Sequence, residues 1–90
     1  MLIKVVRLDA ISPYKLSVEF SDGSGGVHDC AAMVAEGRGL AAGLRDVAVF
    51  RRVSLDFGAP TWPNSFDMDP EWLRREMVAA GELRPAVAAE

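Results

Sequence analysis

The sequence holds one cysteine, Cys30, and one histidine, His28. A disulfide framework needs paired cysteines and is excluded. A structural zinc site of the usual N/S type needs four ligands, which one cysteine and one histidine do not supply. No apolar run approaches the ~20 residues that span a bilayer. The opening MLIKVVRLDAI alternates in character and reaches Asp9 at once. A secretory leader has a basic start, a longer apolar stretch and a small-residue cleavage site, so none is expected. Positive charge is missing between positions 53 and 73, where Asp56, Asp67, Asp69 and Glu71 occur without a Lys or Arg. Such a stretch repels phosphates and argues against direct nucleic-acid binding. These absences point to a cytoplasmic protein with a reduced thiol at Cys30 and no membrane partner.

What is present is an apolar, nearly neutral chain. Of 90 residues, 50% are hydrophobic and 26% charged, with a formal net charge of −3. That balance disfavours disorder, and the length accommodates one domain, expected over 1–81 with a fraying tail over 82–90. A domain of this size buries only about 60% of its unfolded surface, so its Trp, Phe and Met side chains are needed in the core. The halves differ in charge. Residues 1–45 carry five basic and five acidic side chains; residues 46–90 carry five basic and eight acidic, the whole net charge.

Residues 3–11 are rich in β-branched side chains and read as a first strand, broken at Ser12-Pro13-Tyr14. KLSVEF (15–20) alternates, with Leu16, Val18 and Phe20 on one face. Asp22-Gly23 signals a hairpin turn, and a short strand to Asp29 returns. CAAMVAE (30–36) has helical propensity and stops at Gly37 and Gly39; residues 40–44 are an apolar turn or short helix. Asp46 caps a short helix through Phe50. RRVSLDF (51–57) alternates again, and Ala59 to Trp62 pairs back across Gly58. Asp69 is an N-cap with Pro70 at the first helical position. Met68 and Leu73 form a hydrophobic staple. Leu73, Met77 and Ala80 form a buried stripe, and Gly81 is the stop. The architecture is α+β: a small antiparallel sheet of four to five strands, an N-terminal hairpin plus a C-terminal strand pair, packed against the C-terminal helix and short helices.

Few constellations carry chemistry. His28 and Cys30 lie two apart, but a nucleophilic pair needs a third, orienting group; a strand-end histidine and a small buried thiol account for both. Asp67, Asp69 and Glu71 form D-x-D-x-E, yet the glycine and distal glutamate of a calcium loop are missing. Capping and the helix dipole account for Asp69 and Glu71. No catalytic residue, metal site or cofactor is assigned. Trp62-Pro63-Asn64 is the most unusual tripeptide: either a core tryptophan under a tight turn or the wall of a pocket. An exposed Trp62–Trp72 pair would signal a partner site.

Taken in order, F-x-D-G (Phe20, Asp22, Gly23), L-x-D-x-x-x-F (Leu44, Asp46, Phe50) and W-P-N-x-x-D-x-x-P (Trp62, Pro63, Asn64, Asp67, Pro70) resemble the small bacterial family called domain of unknown function 2442. The resemblance covers about residues 3–80. It implies a compact α+β domain without an established activity. It also implies a second small protein, encoded nearby, as partner in a toxin–antitoxin-like pair. The family usually has glycine after the asparagine, where this chain has Ser65, and often tyrosine where it has Arg74. Some members carry an added DNA-binding helix-turn-helix, for which the residues after the last helix are too few.

The expectation is therefore a non-catalytic protein-binding or regulatory module, antitoxin-like, with Trp62, Asn64, Asp67, Glu71 and Trp72 at the binding site. The alternative is a small-molecule or metal-binding domain centred on Trp62, Asn64 and Asp67. An open sheet edge also admits a homodimer.

Overall fold

The computed structural model describes residues 2–86. Three strands follow in meander order: β1 (Val5–Ser12), β2 (Lys15–Phe20) and β3 (Gly25–Asp29). Helices α1 (Ala31–Glu36) and α2 (Val47–Phe50) flank a 3₁₀ segment, Gly39–Arg45. The hairpin β4 (Ser54–Asp56) and β5 (Ala59–Thr61) leads to helix α3 (Pro70–Ala79) and strand β6 (Leu83–Arg84). The antiparallel sheet has the order β1-β2-β3-β6, while β4 and β5 form a separate two-stranded sheet. The fold is α+β, with the later strand pair standing apart from the main sheet.

The alternation in β2 sets the layer. Leu16, Val18 and Phe20 are buried in one cluster with Val34, Leu44, Phe50, Trp62, Met68, Leu73 and Met77. Successive strand side chains point to opposite faces, so Lys15 and Glu19 are left exposed. The β2–β3 turn is closed by Asp22, whose carboxylate accepts from the Ser24 N–H and hydroxyl, and Gly23 takes φ +87°. These bonds, with the Arg74 guanidinium 3.2 Å away, hold the Asp22 carboxyl below its ordinary range.

Helix α3 starts as its sequence requires. Asp69 accepts from the Glu71 N–H at 3.2 Å, and Pro70 occupies the first turn. Leu73 and Met77 are buried, but Ala80 is exposed. The helix ends at Ala79, so the expected stripe stops one turn early. Gly81 has φ +72°, and the Glu82 N–H reaches the Met77 carbonyl at 2.8 Å, an αL termination.

The chain then turns back onto the sheet. Leu83 pairs with Gly26 and Arg84 with Gly25. Glu82 accepts from His28 Nδ1 at 2.7 Å and from the Asp29 N–H at 3.1 Å. The aperiodic sequence predicts fraying from residue 82; instead β6 and this carboxylate anchor residues 82–84. Two residues carry no periodicity, and the partners lie more than 50 positions away, so no local pattern marks the segment. The rest of the expected tail, 87–90, lies outside the described residues.

Candidate functional site

The segment after β5 folds as a closed loop. Trp62 N–H donates to Phe66 O, Ser65 N–H to Trp62 O, and Met68 N–H to Pro60 O, at 2.8, 2.9 and 3.0 Å. Asn64 works in both directions. Its Oδ1 accepts from the Phe66 N–H at 3.1 Å, and its Nδ2 donates to the Leu40 carbonyl of the 3₁₀ segment at 2.8 Å. Ser65 sits at φ +75°, where glycine would carry no Cβ penalty. The loop closes with serine in the left-handed conformation.

Beneath this loop lies an aromatic row. Trp62 is 2% exposed, and its Nε1–H donates to the Phe50 carbonyl at 2.9 Å. Its ring centroid is 5.8 Å from that of Phe50 and 5.6 Å from that of Phe66. A buried indole needs a partner for its N–H, and Phe50 supplies it. Within Trp62-Pro63-Asn64, Pro63 is exposed and Asn64 half-buried, with Trp62 underneath.

Phe66 and Trp72 are half-buried, and with Met33, Ala41 and Met68 they line a cleft of about 310 Å³ rimmed by Asp67 and Asp69. Of the five expected site residues, the structure brings Asp67 and Trp72 to this cleft and makes Trp62 and Asn64 its support. Glu71 is exposed on α3 and borders a different groove with Ile3, Arg74 and Arg75. The Trp62–Trp72 pair does not form, because Trp62 packs inward on Phe50. Nothing in the sequence pattern marks Met33 or Ala41 as cleft residues; Phe66, close to the W-P-N tripeptide, is the one that carries a signal.

Arg45 likewise carries no sequence signal for its role. Its guanidinium donates to the carbonyls of Val34, Ala35 and Gly37, at 2.9–3.1 Å. Those carbonyls belong to the end of α1, where the helix supplies no further N–H donors for them. One side chain thereby ties α1 to the 3₁₀ segment and fixes the Met33–Ala41 wall.

His28 and Cys30 are both buried, and the imidazole is engaged by Glu82. Burial, with Asp29 and Glu82 as further negative charges, pushes the Cys30 thiol up to about 12. A nucleophilic cysteine needs the opposite shift. Among the described residues no group of three His, Cys, Asp or Glu side chains could hold a metal ion, and no helix is long and apolar enough to cross a membrane.

A four-stranded sheet and a separate two-stranded one, closed over a common core by helices and bearing an apolar cleft beside the last helix, define a small α+β module. The chain belongs to the family described as "Protein of unknown function (DUF2442)", whose model matches residues 5–79. No curated protein and no solved structure is significantly similar to it.

Proposed function

We propose that this chain is a non-catalytic protein-binding module, antitoxin-like in its role, that recognises another small protein. The observation that carries this reading is the cleft: apolar walls from Met33, Phe66 and Trp72 beneath a rim of Asp67 and Asp69. A half-buried tryptophan beside apolar neighbours is the kind of surface on which hot spots form. The surrounding stretch has no Lys or Arg from 54 to 72, so a basic partner meets little repulsion and is steered inward. The ligand that fits is an apolar side chain flanked by a cation.

The test is crosslinking capture from the native host with the original chain, Trp72→Ala and Asp67→Lys. A second protein captured by the first and lost with both variants supports the reading. Capture that is indifferent to both variants, or of this chain alone, overturns it.

The cleft volume of about 310 Å³ also lies at the lower end of small-molecule sites, roughly 300–1,000 Å³. A metabolite seated there would raise Tm by mass action. A thermal-shift screen without hits at millimolar ligand removes that second reading.

A further inference from the structure

We infer that the open edge of β1 is a self-recognition surface, on which a second copy of this chain adds its own β1 antiparallel about a two-fold axis through Leu8. On one side β1 pairs with β2; among the described residues no strand pairs with its other side, where the β4–β5 hairpin touches only the start of the strand through Gly58. An edge strand presents a row of unpaired N–H and C=O groups and is a template for another strand.

The ladder shows which groups are free. Phe20 N–H donates to Ser24 O and Cys30 N–H to Tyr14 O, so even-numbered residues of β2 turn their backbone toward β3. Backbone direction alternates along an antiparallel strand, so Ser17 and Glu19 bond toward β1. Arg7 pairs with Glu19 and Asp9 with Ser17, and these two turn their backbone inward. Leu8 and Ala10, opposite Val18 and Leu16, turn theirs outward. At the start of the strand the Val5 N–H is already taken by Gly58 O at 2.8 Å, which places the free stretch after it.

The side chains choose the register. Centred on Leu8, Arg7 faces the partner's Asp9 and Asp9 faces the partner's Arg7, both as non-hydrogen-bonded pairs, whose side chains are closest. Centred on Asp9, two aspartates would face each other; centred on Ala10, no charge is matched. Asp9 has no ion-pair partner among the described residues, and Arg7 is held only by a 3.6 Å contact to Glu19 at 82% side-chain exposure. Leu8 is already packed against the core, so Leu8 against the partner's Leu8 extends that core across the axis. The pairing is confined to the stretch after Val5, because the β4–β5 turn holds the edge there through Gly58 O.

The surface shares no residue with the cleft, so its test is independent of the reading above. Light scattering over a concentration series is expected to show the full chain as a dimer. Arg7→Asp and Asp9→Arg each turn two attractive pairs into repulsive ones and weaken the dimer by about thirtyfold. Mixed together, the two variants pair with each other, since every acid then faces a base. Ala10→Pro removes an outward N–H without touching the β1–β2 ladder and also gives a monomer. If circular dichroism shows either charge variant unfolded, Ala10→Pro decides alone. A chain that stays monomeric at its highest soluble concentration overturns the inference. So does a dimer that survives the folded charge reversals or Ala10→Pro, or folded single variants that fail to pair on mixing.

Discussion

Asn64 holds the rim of the cleft by two hydrogen bonds, and Gly43 leaves it the room to do so. A Cβ built on Gly43 would stand 2.8 Å from Asn64 Nδ2. The same nitrogen is pinned 2.8 Å from the Leu40 carbonyl. Removing the side chain with Asn64→Ala deletes that bond and the 3.1 Å bond from the Phe66 N–H. A neutral bond contributes about 1 kcal/mol net, and a part-buried donor left unmade costs somewhat more. Leu40 is 53% exposed, so its carbonyl can return to water, whereas Phe66 is half-buried. The expected loss is about 1.5–2.5 kcal/mol, or roughly 6–20 °C in Tm for a domain of this size.

Gly43→Ala has a sign that depends on Asn64. Its backbone is not in the left-handed region, where a Cβ is penalised. At such a position the substitution stabilises by about 0.4–1 kcal/mol through the unfolded chain. With Asn64 present the new methyl displaces Nδ2 from Leu40, which costs about 1 kcal/mol and cancels or reverses the gain. With Asn64→Ala in place the clash is gone and the gain remains. Urea melts of the four proteins should therefore give a coupling of about 1 kcal/mol, with Gly43→Ala stabilising only in the Asn64→Ala background. Additive changes, or a Gly43→Ala that stabilises both backgrounds equally, would refute the claim that this glycine exists to seat the asparagine.

Three further outcomes follow from the geometry. Gly26→Ala places a Cβ 2.1 Å from the Glu82 carbonyl oxygen, a backbone atom; β6 must move away, and urea melts should show a loss of at least about 2 kcal/mol. The Cys30 thiol, raised from 9.0 to about 12, should resist iodoacetamide at pH 8 in the native chain and react in urea. Because the folded value is the higher one, stability is full below pH 9 and falls as pH rises toward 12; Cys30→Ala should flatten that alkaline decline. Asp22 is shifted the other way, below 3.8, chiefly by Ser24. Its contribution is present above that pH and lost as pH falls through the folded value, so Asp22→Asn should reduce the acid dependence seen in Tm.

The closing motif illustrates how much the sequence could disclose. Asp69, Pro70 and Gly81 are local signals, since caps and stops act within one turn of the residues that form them; all three were legible. The L-x-D-x-x-x-F segment was legible for the same reason: Asp46 accepts from the Ala48 N–H two residues on. Trp62 was ambiguous because an aromatic before a proline suits a core as well as a pocket. Only the Phe50 carbonyl, 12 positions away, decides for the core. Arg45 and Glu82 were unreadable, being charged residues whose partners are carbonyls and an imidazole brought together by the fold.

The sequence by itself determined the α+β class, the alternating core face of β2, the acidic stretch and both ends of helix α3. Each is set by period, by caps or by composition, which do not depend on distant neighbours. The tertiary structure alone decided that β4 and β5 leave the main sheet and that the chain returns as β6 to clasp His28. It also decided that Phe66 and Trp72, rather than Trp62, reach the cleft. Those outcomes depend on which buried donors and acceptors find each other across the core, and no local pattern encodes that pairing.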